Sequence, residues 1–452
     1  MPCVLVVMSV LSVTPGEPRR ISLPEALAAA QAHQPSLEAA RSRLEAAGVD
    51  AQAARAAWLP TVGALAEVVL ATTNNSTTTV VSNGVVDLPR IGATKVSSTP
   101  DFTPAASTLL GVGARQLLFD FGRVSAQAGA ADALAELERA RLANLGLSLE
   151  FQVRRAFYGV LAAHAVLDAS EQSWVRAKAH RDFAKTAVDA QVRSPIELTR
   201  AEADLARADL GRLRATSGLR SARVLLAALV GANEEELDAD ASATAAVLPP
   251  LPDAATVRAA ALEAEPTLVE ARAASKQARA QVDVVASQAR PSLFATAALS
   301  LRNGGAAPSS GSEPGGLGLV PAVPNYDVGV VFSWPLLDVS TFRRADAAGL
   351  RARAADQDLD ATGRRVAEQA LQLAERARVA EDSLAALAHA VDAARANEAQ
   401  AEARFKAGLG TSTELADAET LRTEAEINVA VGRFEALTAR AALDRVMARE
   451  AR

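Results

Sequence analysis

Aromatic residues make up only 4% of this chain of 452 residues, and its one cysteine is Cys3. A globular core normally draws much of its buried area from Phe, Tyr and Trp, so a core of that kind is not expected. A single cysteine excludes an internal disulfide and leaves a cysteine-based metal site nothing to build on. The four histidines, His33, His164, His180 and His389, stand singly on helical sequence. None lies at ligand spacing from another histidine or a carboxylate, so they read as surface or seam residues, and no metal, cofactor or general-base role is expected. Few His and Met residues also argue against a dedicated metal exporter. No phosphate loop, nucleophile elbow or dinucleotide fingerprint is present: Gly304-Gly305 and Gly315-Gly316-Leu317-Gly318 lie in a loop without a suitable helix start behind them. The net charge of −6 speaks against a nucleic-acid partner. No apolar run reaches about 18 residues, so no transmembrane helix is expected, and membrane entry would have to use β-strands. The short run Val4 to Val13, ahead of Pro15 and Gly16, looks like the core of a secretory signal, although no Lys or Arg precedes it. Residues 1–16 are therefore expected to be an atypical signal segment, with Cys3 misplaced for a lipoprotein cleavage site.

What is abundant is alanine and leucine at helical spacing. Half the residues are apolar, and an Ala-rich, Leu-seamed sequence suits long helices packed at close distance. The sequence is also written twice. Gln34-Pro35-Ser36-Leu37-Glu38-Ala39-Ala40-Arg41, leading to Trp58-Leu59-Pro60, is echoed by Glu265-Pro266-Thr267-Leu268-Val269-Glu270-Ala271-Arg272, leading to Arg290-Pro291. Leu118-Phe119-Asp120 is echoed by Leu336-Leu337-Asp338, and Ile196-Glu197-Leu198 by Thr413-Glu414-Leu415. Three echoes in one order indicate a tandem duplication. Residues 17–231 form the first repeat and 257–452 the second, with 232–256 as the linker, rich in acid at Glu234 to Glu236 and in proline at Pro249 to Pro252.

Each repeat runs from a helix ending at a proline, through an alternating stretch, a polar loop and a second alternating stretch, into a long helical hairpin. Tyr326, Val328, Val330, Phe332 and Trp334 alternate with Asp327, Gly329, Val331 and Ser333; Leu293, Ala295, Ala297, Leu299 and Leu301 alternate with Thr296, Ala298, Ser300 and Arg302. Val62, Ala64, Ala66 and Val68 oppose Gly63 and Glu67, and Leu110, Val112 and Ala114 oppose Gly111, Gly113 and Arg115. Strands are expected at about 61–71, 107–118, 292–302 and 325–335. Taken singly, each reads as a half-buried sheet edge. Four of them, apolar on one face and isolated between enormous helices, have no soluble core to join and fit a transmembrane barrel instead. The polar loops Thr72 to Ala106 and Asn303 to Asn325 are long, as extracellular barrel loops are. Trp58 beside Pro60 and Trp334 beside Pro335 stand where strand meets helix, a level that suits a membrane–water interface, though Trp58 alone reads equally as a helix-end packing residue.

The helical hairpins are expected at about 119–231 and 338–448. From about Val124 to Gln191 no proline intervenes, and Leu134, Leu137, Leu145, Leu149, Val153, Phe157, Val160 and Leu167 recur mostly at steps of three or four. Such a helix reaches roughly 100 Å, a length suited to coiled-coil pairing.

Together these features resemble the outer-membrane efflux proteins of the TolC type, over about Ile21 to Met447. The resemblance is carried by the duplicated Pro-x-Leu segments, by Leu118-Phe119-Asp120-Phe121-Gly122-Arg123, and by Arg404-Phe405-Lys406-Ala407-Gly408-Leu409-Gly410-Thr411-Ser412-Thr413-Glu414-Leu415-Ala416-Asp417-Ala418. It implies a mainly α fold with a membrane β-barrel portion, in which a homotrimer pools four strands per protomer into a twelve-stranded barrel above an α-helical periplasmic tunnel. It also implies a location in outer-membrane lipid reaching into the periplasm, and partners in a periplasmic adaptor and an inner-membrane transporter. By the same resemblance, Gly408, Leu409, Gly410 and Thr411 form one adaptor-contacting hairpin tip, and Val192, Arg193, Ser194 and Pro195 the other. The first tip departs from the pattern, with Gln191 where the second has Gly408 and with Pro195 read as an insertion. Glu414 and Asp417, three apart on one helix face, match the acidic positions at the family's tunnel entrance, and Glu197 and Arg200 are their first-repeat counterparts. Spacing alone would make such an acidic pair a solvated face. An Arg200–acid contact holding the entrance shut is an expectation of the same kind.

Two other readings remain open on the sequence. A soluble coiled-coil scaffold explains the helices but not the one-sided strands. A periplasmic adaptor would carry one hairpin inserted into compact β-domains rather than two halves with strands between helices.

Overall fold

The computed structural model describes residues 19–72, 104–232, 237–240, 250–303 and 323–448. The expected signal segment, Cys3, most of both polar loops and the acidic part of the linker lie outside the described residues. The element order is β1 (Arg19–Ile21), α1 (Leu23–His33), α2 (Pro35–Ala56), β2 (Thr61–Thr72), β3 (Pro104–Phe119), α3 (Arg123–Asp189) and α4 (Pro195–Val230). It continues with β4 (Leu237–Ala239), α5 (Ala254–Ala264), α6 (Pro266–Ser287), β5 (Ser292–Asn303), β6 (Val323–Ser333), α7 (Val339–Lys406) and α8 (Ser412–Val446). The second repeat copies the first: α1 and α5 each have 11 residues, α2 and α6 each 22, and β2 and β5 each 12. No helix among the described residues is long and apolar enough to cross a membrane.

Local chemistry sets the boundaries. Ser22 caps α1 in a reciprocal box with Glu25, whose carboxyl is lowered by the bond from the Ser22 backbone N–H. Prolines open α2, α4 and α6, where a missing N–H costs nothing. Gly231, at φ +76°, closes α4. The strands differ slightly from the sequence expectation. β3 starts at Pro104 and β6 at Val323, each earlier than the alternation indicates. β6 stops at Ser333, short of Trp334, because Pro335 has no N–H to continue the ladder.

The chain divides into two compact units. One holds the described parts of Met1–Ser42, Arg139–Arg272 and Asp358–Arg452. Its core includes two clusters of parallel design. In the first, Ala26 and Ala30 of α1 meet Val153, Phe157 and Val160 of α3 and Leu226 and Val230 of α4. In the second, Val257 and Ala261 of α5 meet Val366 and Ala370 of α7 and Leu443 and Val446 of α8. Alanines at these seams let helices approach closely, which is how so aromatic-poor a chain fills its interior. The segment read as a linker contains β4, which pairs in parallel with β1. There Asp238 is buried and accepts from Arg223 (2.6 Å) while lying 2.8 Å from His164 Nε2. His164 was read as having no carboxylate partner; the fold supplies one from 74 residues away.

The second unit, Arg43–Glu138 and Ala273–Gln357, contains a four-stranded antiparallel sheet in the order β2-β3-β5-β6. β2 and β6 are its edges. Pro324 and Pro104 are tolerated because one lies on an edge strand and the other is the first residue of β3.

Candidate functional site

The register makes the sheet two-faced. On one face Val62, Ala114, Ala297 and Val328 form a rung, followed by Ala64, Val112, Leu299 and Tyr326. Tyr326 and Val328 are 81% and 82% exposed, so this apolar face is uncovered within the chain. The opposite face carries Thr61, Arg115, Thr296 and Gly329, then Gly63, Gly113, Ala298 and Asp327, then Leu65, Gly111, Ser300 and Asn325. Across these three rungs every residue but Leu65 is small or polar.

At the base of this sheet the strands turn into helices. Asp120 is buried and accepts from the N–H of Gly122 (3.0 Å) and of Val124, capping the free end of α3. Phe121 (φ +53°) and Gly122 (φ +92°) make the turn, and a Cβ at Gly122 would meet the Arg290 guanidinium at 2.9 Å. Arg290 donates to the Phe121 carbonyl (3.1 Å), and Arg123 to the Arg290 carbonyl (3.0 Å). Asp338 repeats the cap in the second half, accepting from the hydroxyls and N–H groups of Ser340 and Thr341, with the Thr341 hydroxyl foremost in holding its pKa down at about 2. Around these turns Trp58, Phe119, Phe121, Phe332 and Trp334 are exposed. Pro60 immediately precedes β2, and Pro335 lies between β6 and α7.

The hairpin tips lie in the first unit, and they coincide residue for residue. Val192 and Arg193 donate their N–H groups to the Ala187 carbonyl (2.9 and 3.2 Å); Leu409 and Gly410 donate theirs to the Arg404 carbonyl (2.9 and 3.1 Å). Gln191 adopts φ +61° where Gly408 adopts +75°. Pro195 is therefore not an insertion: it opens α4 at the place where Ser412 opens α8. Val192 and Leu409 project into solvent. Behind them the tips interlock. Phe405, 2% exposed, is stacked edge-on by His180 (5.0 Å) and Phe183 (5.7 Å), and Arg193 lies over its ring at 4.2 Å while donating to its carbonyl (2.8 Å). Burial pushes the His180 imidazole pKa down. Arg193 also lies 3.9 Å from Glu197. Ser194 precedes α4 without a side-chain cap, whereas Thr411 accepts from the Glu414 N–H (3.2 Å). Glu414, Asp417 and Arg200 are exposed on α8 and α4, and none makes an ion pair among the described residues. The fold does not bring Arg200 onto either acid within one chain.

Sequence reading missed a charged layer above the tips. Arg176 of α3 reaches Glu398 of α7 (3.5 Å) and Glu426 of α8 (3.9 Å). Arg422 bonds both acids, and Arg395 joins at Glu426 (3.1 Å). Glu419 forms no ion pair among the described residues, and its pKa is raised to about 7, first by burial and next by Glu398. Only the Arg422–Glu426 spacing was visible locally. No cluster of three or more metal-ligating side chains occurs among the described residues.

One unit is built of paired long helices, and the other carries a four-stranded sheet with one apolar face. The chain belongs to the outer membrane efflux protein family, whose model matches residues 26–232 and 257–449. It is thus an outer-membrane protein extending into the periplasm. The cobalt-zinc-cadmium resistance protein CzcC of Cupriavidus metallidurans is 33% identical over 172 residues, which cover 38% of this chain and 41% of that protein. The solved outer-membrane channel OprN superposes with a TM-score of 0.75 at 22% identity, covering 95% of this chain and 90% of OprN. The open state of the Neisseria gonorrhoeae channel MtrE gives a TM-score of 0.72 at 19% identity, over 98% and 94% of the two chains.

Proposed function

We propose that this chain is the outer-membrane exit duct of a tripartite efflux or type I secretion system, and not an enzyme. It passively conducts substrate from an inner-membrane pump and periplasmic adaptor to the outside. The observation that carries this reading is the two-faced sheet whose edge strands, among the described residues, are β2 and β6. In lipid an open edge leaves several kcal/mol per unpaired backbone group, so copies must close the sheet into a barrel. Three copies of four strands give twelve. Trp58, Pro60, Trp334 and Pro335 then mark the membrane interface. The exposed tips, Val192, Arg193, Ser194 and Pro195 with Gly408, Leu409, Gly410 and Thr411, offer the adaptor two apolar points, Val192 and Leu409.

In this reading Glu414 and Asp417 line the entrance, six carboxylates in a trimer, which draws cations in. Arg200 reaches an acid of a neighbouring copy and restrains the entrance, with Glu197 held by Arg193. The test is the mass of the detergent-extracted oligomer and its conductance in planar bilayers. A trimer is expected, with a small cation-selective conductance that rises in Glu414→Ala/Asp417→Ala and changes in Arg200→Ala. Unchanged conductance in Arg200→Ala would remove the latch alone. A monodisperse protein, soluble without detergent and non-conducting, would replace the duct with a coiled-coil scaffold or adaptor.

A further inference from the structure

Two polar atoms of the sheet are closed off from solvent without a hydrogen-bond partner: Ser300 Oγ on β5 and Asp327 Oδ2 on β6. Both belong to the polar face, on successive rungs, because Asp327 pairs with Ala298 and Ser300 with Asn325. Followed sideways, the Asp327 rung runs through Ala298, Gly113 and Gly63. Those three contribute one methyl group and two hydrogens. The level therefore holds a single functional group per chain, a carboxylate.

The other charged levels of this face are differently disposed. Arg115, one level towards the helices, is laid over the Phe294 ring at 3.8 Å. Glu67 lies two levels away, towards the loops. Asp327 stands at a level where its rung neighbours are glycine, glycine and alanine and the one charge is negative.

We propose that Asp327 sets the charge selectivity of the barrel lumen, an inference that rests on the duct reading above. Three copies place a ring of carboxylates around the pore, attracting cations and repelling anions.

The experiment measures reversal potentials of the full-length oligomer in bilayers under a KCl gradient. It uses the Glu414→Ala/Asp417→Ala background, so that the entrance does not mask the barrel. Adding Asp327→Asn is expected to lower the cation-to-anion permeability ratio roughly two- to five-fold. An unchanged ratio overturns the proposal and leaves the duct intact, whereas no conductance in any variant overturns the duct itself. A second readout needs no current. In the extracted oligomer, Thr296→Cys, half-buried on the rung next to Asp327, is labelled with cationic and anionic methanethiosulfonates of equal size, with the parent chain as background. The cationic reagent is expected to react several-fold faster, and that advantage to disappear when Asp327→Asn is added. Equal rates with Asp327 present would overturn the proposal.

Discussion

The two hairpin tips have one backbone and two chemistries. Corresponding N–H groups reach corresponding carbonyls at nearly the same distances, and a left-handed residue stands at the same place in each turn. Yet the second tip has Gly408 where the first has Gln191, Gly410 where it has Arg193, and Asp417 where it has Arg200. The second tip also inserts Phe405 into a pocket built by α3, while its counterpart Val188 is only half-buried. Duplication has kept the hydrogen-bond scaffold and let the side chains diverge, so that one tip locks and the other receives.

That contrast is sharpest at Phe405. Phe405→Ala removes an aromatic from a closed site and should cost about 3–5 kcal/mol, read as lost amide protection across both tips. Val188→Ala should cost about 1 kcal/mol; equal losses would erase the asymmetry. Next comes the pair Glu419 and Glu202, at matching positions but with Glu202 exposed. Glu398 and Glu402 of α7, Asp204 of α4 and Arg176 of α3 act on Glu419, with burial the largest influence; Arg422 and Glu426 lie one and two turns along α8. The folded pKa of about 7 exceeds the ordinary 4.5, so the folded state binds the extra proton between those values. Stability therefore rises as pH falls from about 7 towards 4.5. Glu419→Gln should flatten that slope and stabilise the protein above pH 8 by about 1–2 kcal/mol, after allowance for solvent contact. Glu202→Gln should do neither, and denaturant titrations at several pH values compare them. The smallest effect lies in the turns themselves. Gly408→Ala should destabilise its tip, and Gln191→Gly stabilise the other, by about 1 kcal/mol each with opposite signs. Hydrogen exchange at the two tips measures both.

How much of this was legible beforehand follows from range. The strands announced themselves because a period of two survives in a one-sided sheet, and the helices because an Ala/Leu seam tolerates no proline. Gln191 gave no sign of its left-handed backbone, since the residue type argues against it. Pro195 looked like an insertion for the same reason: the turn around it was hidden by its side chains. The Arg176–Glu398 layer and the His164–Asp238 pair join residues far apart in the chain, and no local spacing encodes such meetings. Trp334 falls past the ladder's end because proline chemistry, rather than alternation, decides where β6 stops.

The open edges at β2 and β6 also carry a genetic consequence. In the proposed duct, where copies close the sheet into a barrel, each copy is stabilised by mass action with the others. Every assembly then inherits the worst of its members. A lesion confined to one edge strand would poison complexes that also contain sound copies and behave as a dominant trait. Loss of the whole protein, by contrast, would be recessive.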